Sequence, residues 1–284
     1  MAVRGPQAFM NVPELIFFEN ARQPLIVASL MLRRKTILAN PEWKSIPWSL
    51  HPERKTAMQT LYDIMADCPE KSLRRDCLLS TPEMVVRSHG QILKLLTETS
   101  AVLVRLAQWK ESWDFIHPDA ASECAPSLFF SSTPTVTAED DTQIPAWTTI
   151  LVFKSDYEAI VMGMYNATKI LLISLLQSVL IFGQIAAEEA VYVLPEYLLT
   201  RDARQRAIKD ASFDICRSVE YNLQSTSHAS LSLSLLFPLR MAYTPLEESY
   251  PSICAWLRHI SSQIANGQRG RWAAAKNLLD DNAT

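Results

Sequence analysis

Residues 170–187 read ILLISLLQSVLIFGQIAA, and this run restricts the fold more than any other stretch. A run so apolar has two destinations, a bilayer or the centre of a protein core. A spanning helix needs about 20 predominantly apolar residues. This one carries Ser174, Gln177, Ser178 and Gln184 and lacks aromatic flanks at both ends. A core helix is therefore preferred over a membrane span.

The rest of the chain supplies neighbours for such a helix. Apolar residues recur at three-to-four spacing through most of its length, and sustained strand alternation is rare. Residues 14–39 read as helix, with Leu15, Phe18, Ile26, Leu30 and Leu38 apolar and Pro24 splitting or kinking it. Residues 54–67 read as a shorter helix. Ser80 and Glu83 have the spacing of a reciprocal N-terminal cap, opening a helix that runs to about Trp109 and is weakened at Gly90. Ser155 and Glu158 repeat that spacing before a long or broken helix ending near Glu189. Ala207, Ala211, Ile215, Val219 and Leu223 lie four apart on one face. Leu231, Leu233 and Leu235 alternate as in a strand, yet their helical context favours helix, bent at Pro238. A final helix covers about 252–266, with Ile253, Trp256, Leu257, Ile260 and Ile264 inward and Gly267 as its stop.

The expected fold is all-α, a single large irregular multi-helix domain over 1–284. A polar segment rich in Ser, Thr, Pro and acidic residues, 117–145, reads as a long surface insertion, with Leu128, Phe129 and Phe130 as its ordering residues. The tail from 268 to 284 reads as loosely held. Hydrophobic residues at 48% and charged residues at 20% argue against disorder. Only six glycines occur, which argues against nucleotide-binding α/β folds built on glycine-rich loops. A net charge of −3 gives no overall basic footprint for nucleic acid.

Chemistry is hard to place. The nucleophile-elbow, zinc-protease, phosphate-loop and dinucleotide fingerprints are missing, so no catalytic residue, metal ligand or cofactor is assigned and the chain does not read as an enzyme. The five cysteines form no closely spaced pair, and the five histidines are scattered. Asp140 with Asp141, and Asp280 with Asp281, read as solvated acidic clusters. Arg33, Arg34 and Lys35, and Arg74 with Arg75, read as solvated basic faces, with phosphate or partner contact as the sharper alternative.

One stretch is unusual. NPEWKSIPWSLHPE, residues 40–53, puts Trp43 and Trp48 among three prolines. Large aromatic rings in an irregular connection either pack it onto a core or build a binding site, and packing is preferred. Residues 4–48 also resemble the start of the helical regulatory domain of fungal zinc binuclear-cluster transcription factors. The matching residues are Arg4-Gly5-Pro6, Arg22 to Leu25, Arg33-Arg34 with Thr36 and Leu38, and Glu42-Trp43 with Pro47-Trp48. Later matches are Tyr165-Asn166-Ala167, Ile215-Cys216-Arg217-Ser218 with Tyr221, and Phe237-Pro238-Leu239-Arg240 with Ala242-Tyr243.

The resemblance implies a transcriptional regulator in the nucleus (otherwise the cytoplasm), controlling fungal secondary metabolism. Its partners would be other transcription-factor chains or a second copy, with a small-molecule effector as a further candidate and no membrane. Trp43, Trp48, Arg33, Arg34 and Arg240 are its structural or interaction candidates, and Arg240 is expected to bond nearby carbonyls. The family's cysteine-rich DNA reader stands N-terminal to this region, and Met1 lies almost at the region's start. Direct DNA binding by this chain alone is therefore not expected. The alternative is a helical scaffold that binds or converts a small hydrophobic metabolite, with Trp147, Met162, Met164 and Phe182 lining its pocket.

Overall fold

The computed structural model describes residues 4–126, 133–137, 143–183, 185, 187–224 and 229–266. The chain is all-α, with two small strand pairs among the described residues. Contacts gather into two compact units, residues 1–116 with 172–204, and residues 117–171 with 205–284.

The first unit opens on a 3-10 turn, Pro6–Phe9, and then α1 (Val12–Met31). Leu15, Phe18, Arg22, Ile26 and Leu30 form its buried side at helical spacing. α1 runs unbroken through Pro24, which faces solvent. An interior proline costs about 3 kcal/mol, and burial of the opposite side offsets that cost. The helix ends at Met31 rather than near residue 39. Arg33 adopts φ 50°, the left-handed conformation usually given to glycine. Its amide donates to the Leu30 carbonyl at 3.3 Å, and the Arg34 amide donates to the Ser29 carbonyl at 2.9 Å. Those two bonds close the helix.

Short elements carry the proline-rich stretch: a 3-10 turn Ile37–Ala39, α2 (Pro41–Ser45), and 3-10 turns Ile46–Trp48 and Pro52–Arg54. Thr56 caps α3 (Ala57–Met65), and α4 (Cys68–Leu78), unassigned from the sequence, follows. The next cap is one residue later than expected. Thr81 Oγ1 accepts from the Met84 amide at 3.2 Å and opens α5 (Pro82–Arg87), while the Ser80 hydroxyl donates back to Cys77 O. The break before α6 (His89–Ile116) falls at Ser88, not Gly90. α7 (Asp156–Phe182) begins in the second unit and enters the first at Leu172. Here the apolar run finds its place. Leu172, Ile173 and Leu176 are fully buried, and 67% of the most apolar window lies inside the chain, although the helix is long and apolar enough to cross a membrane. Gly183, just past its end, has Ile92 Cγ2 2.8 Å from where a Cβ would stand. A short α8 (Ala187–Val191) completes this part.

The second unit corrects the expectation for 117–145. That segment holds β1 (Ala121–Cys124), β2 (Thr135–Thr137) and β3 (Gln143–Pro145), and β4 (Ile150–Phe153) follows. β1 pairs antiparallel with β4, and β2 with β3. Strands of three or four residues are too short to show alternation, and the β1–β4 pairing joins segments far apart in the chain. Leu128, Phe129, Phe130 and the Glu139–Asp141 cluster lie outside the described residues, as do Gly267 and the tail with Asp280 and Asp281. Ser155 receives the Glu158 amide at 3.5 Å at the start of α7. α9 (Arg201–Gln224), α10 (Ala229–Leu246) and α11 (Pro251–Asn266) supply the remaining helices. α10 continues through Pro238 and Pro245. The side chains of Leu231 and Leu233 fall outside the described residues. In α11, Ile253, Leu257, Ile260 and Ile264 are buried, while Trp256 is half-buried.

Arg33→Gly removes a side chain from a left-handed position and is expected to raise unfolding stability by about 1 kcal/mol. The ion pair lost, Arg33 Nε to Asp76 at 3.4 Å, is exposed on both sides and contributes little. Urea unfolding measures the change, and an unchanged or lower midpoint contradicts this account of the helix stop.

Candidate functional site

The most unusual chemistry in the first unit is a buried cation. Arg22 is fully buried, although it sits mid-helix on α1. Its position follows from spacing, because it occupies the same side as Phe18 and Ile26. Burial pulls its pKa below the ordinary arginine value, with Asp63 opposing that shift. The guanidinium is paired on several sides. Nη2 binds Asp63 Oδ1, and Nη1 donates to Gln59 O at 2.8 Å and Gln59 Oε1 at 2.9 Å. Its Cζ lies 4.8 Å from the Trp48 ring centre and 5.6 Å from that of Phe18. Only Nε is left without a hydrogen bond.

Asp63 is shared. Its second oxygen takes Lys55 Nζ at 2.7 Å, and that ammonium also donates to Lys44 O at 2.6 Å and lies 5.2 Å from the Trp48 ring. Trp48 is thus held by two cations on a carboxylate anchored in α3. Phe18 packs edge-on against Trp48 at 5.3 Å, and Phe9, Phe18 and Trp43 lie 5.4–5.8 Å apart. Trp43 and Trp48 are 5% and 2% exposed, so neither ring faces a ligand from solvent. The Trp48 indole N–H is buried with no acceptor.

The other sequence candidates lie elsewhere. Arg33 closes α1. Arg34 follows it, exposed and without an ion pair among the described residues. Arg240, on α10 in the second unit, is half-buried. Its Nη1 is buried without a hydrogen-bond partner, so that atom does not make the expected carbonyl bond.

The second unit has its own arginine clamp, which sequence reading missed. Arg217 on α9 donates to Thr149 O at 3.0 Å and Thr149 Oγ1 at 2.7 Å, and pairs with Glu123 at 2.8 Å. It thereby ties α9 to the β1–β4 pair. The Arg217 and Thr149 hydrogen bonds hold the Glu123 carboxyl below the usual carboxylate range. Tyr221, one turn along, stacks edge-on against Phe153 of β4 at 5.4 Å. On α11, Arg258 Nε donates to the Tyr243 hydroxyl at 2.8 Å.

Reactive groups are scarce among the described residues. Burial pushes the Cys68 thiol up to about 12 and Cys254 up to about 11, and raises Cys216 as well, so none of these three supplies thiolate near neutral pH. Among the described residues no three His, Cys, Asp or Glu side chains gather as a metal site. The four residues proposed to line a metabolite pocket do not share a unit. Phe182 is 64% exposed in the first, whereas Trp147, Met162 and Met164 belong to the second, with Met164 sealed in its core.

No protein-family model, curated protein or solved structure matches the chain.

Asp63→Ala leaves Arg22 buried without its carboxylate and is expected to cost about 3–5 kcal/mol. Replacing the pair together, Arg22→Met with Asp63→Leu, should cost less than Asp63→Ala alone. Urea midpoints of the three variants decide this; a mild effect of Asp63→Ala contradicts the account.

Proposed function

We propose that the chain is a helical regulatory module of the fungal zinc-cluster transcription-factor type, acting by protein contact and not by chemistry of its own. One observation carries this reading. Residues from the scattered segments of the sequence resemblance are buried in both units. Arg22, Trp43 and Trp48 meet in one buried cluster of the first unit. Ile215, Cys216, Phe237, Leu239, Ala242 and Tyr243 are buried in the second, and Arg217 ties its strands to its helix. Such residues serve as scaffold, and a scaffold leaves its surfaces for contact. Control of secondary-metabolite genes and a nuclear location follow from the same proposal.

Deleting the gene and profiling transcripts tests it. The expected result is a coordinated change across one set of genes. Normal transcripts with a single blocked metabolic step would overturn the regulatory reading and favour the metabolite-binding scaffold.

A further inference from the structure

α1 is apolar on both sides, and among the described residues only one side is covered. Opposite the buried line of Leu15, Phe18, Arg22 and Ile26 stand Ile16 at 42% exposed, Phe17 at 62%, Met31 at 46% and Leu32, just past the helix, at 61%. Pro13, Asn20, Pro24 and Ala28 complete this exposed side. Positions 13, 16, 17, 20, 24, 28 and 31 follow the three-to-four spacing of a helix–helix seam, with apolar residues at all of them except Asn20. A surface helix ordinarily puts charge there. At 1.5 Å per residue the face is about 30 Å long, which is long for an unpartnered apolar strip.

The charges at its ends say what covers it. Glu14 stands at the N-terminal end and Arg34 beyond the C-terminal end, both exposed and neither in an ion pair among the described residues. We infer that α1 is a two-fold interface, pairing antiparallel with α1 of a second copy of this chain. Centred on Pro24, that pairing sets Glu14 against Arg34 of the other copy at both ends. It places Phe17 over Met31, a sulfur–aromatic contact, with Ile16 and Leu32 along the two flanks of the seam. The middle holds Ala28 against Asn20, small enough for close approach of the two axes. The same surface meets itself, as two-fold symmetry requires. Antiparallel helices also bring each negative carboxylate end beside the partner's basic end. One helix face falls short of the roughly 800 Å² per partner of a standard interface, so the dimer forms at micromolar concentrations. The inference deepens the protein-contact role proposed above by naming its partner.

Sedimentation equilibrium of the purified full chain tests it. The chain is expected to dimerise in the micromolar range. Phe17→Asp, with an unchanged circular dichroism spectrum, should weaken the dimer about tenfold or more. Glu14→Arg should weaken it about threefold, and Glu14→Arg with Arg34→Glu should restore it. A chain monomeric at high micromolar concentration, or a dimer indifferent to Phe17→Asp, overturns the inference; failure of the charge swap to restore overturns the antiparallel register. A dimer of this kind in a chain whose deletion leaves transcripts unchanged would sustain the interface and overturn the regulatory role. A monomer whose deletion shifts a gene set would do the reverse.

Discussion

A guanidinium out of water is costly unless its charge and donors are met, and the first unit is organised around meeting those of Arg22. Asp63 and Gln59 fix the rotation of α3 against α1, because both must present oxygens to the same group. Trp48 must lie over the guanidinium, which fixes where the proline-rich stretch runs. Lys55 then binds the free oxygen of Asp63 and the far part of the same connection through Lys44 O. Beyond the cluster, Lys44 and Arg105 meet on Asp67 at 2.5 and 2.8 Å, and Trp109 donates to Ala57 O at 2.9 Å, joining α6 to the same framework. Two tryptophans in an irregular segment therefore need no ligand to explain them.

The sequence carries the helices where their apolar period is long and their caps are chemical. Ser155 opens α7 where its spacing indicates, and Ile253 to Ile264 mark the inward side of α11. Boundaries set by backbone closure are invisible to that reading. α1 stops at Met31 because the Arg33 and Arg34 amides close back on its last-turn carbonyls, and an arginine in a glycine conformation gives no compositional warning. β1 and β4 escaped for another reason. Each is four residues long, and their partnership spans the segment between, so neither has a local signal. Arg22 was visible as part of a motif but not as a centre. The clue was its place between Phe18 and Ile26, a charge on the side that burial claims.

The two sides of α1 divide its work. The inward side builds the core, and the outward side is apolar without being needed for it. Folding alone gives no reason to keep Phe17 and Leu32 in water. A protein-contact role does, and it agrees with a chain whose buried cysteines are held as thiols and whose buried arginine is consumed by structure.

If Arg22 organises the first unit, residues 41–54 belong to its core. Native-state hydrogen exchange on the amides of Trp43, Ser49, His51 and Arg54 addresses this directly, since each is bonded within that connection at 3.0–3.1 Å. Protection comparable to the middle of α3 is expected, because the aromatic rings and the shared carboxylate open only with the unit. Rapid exchange of these four amides, with α1 and α3 still protected, would show the tryptophan segment to be a mobile loop and would contradict that organisation.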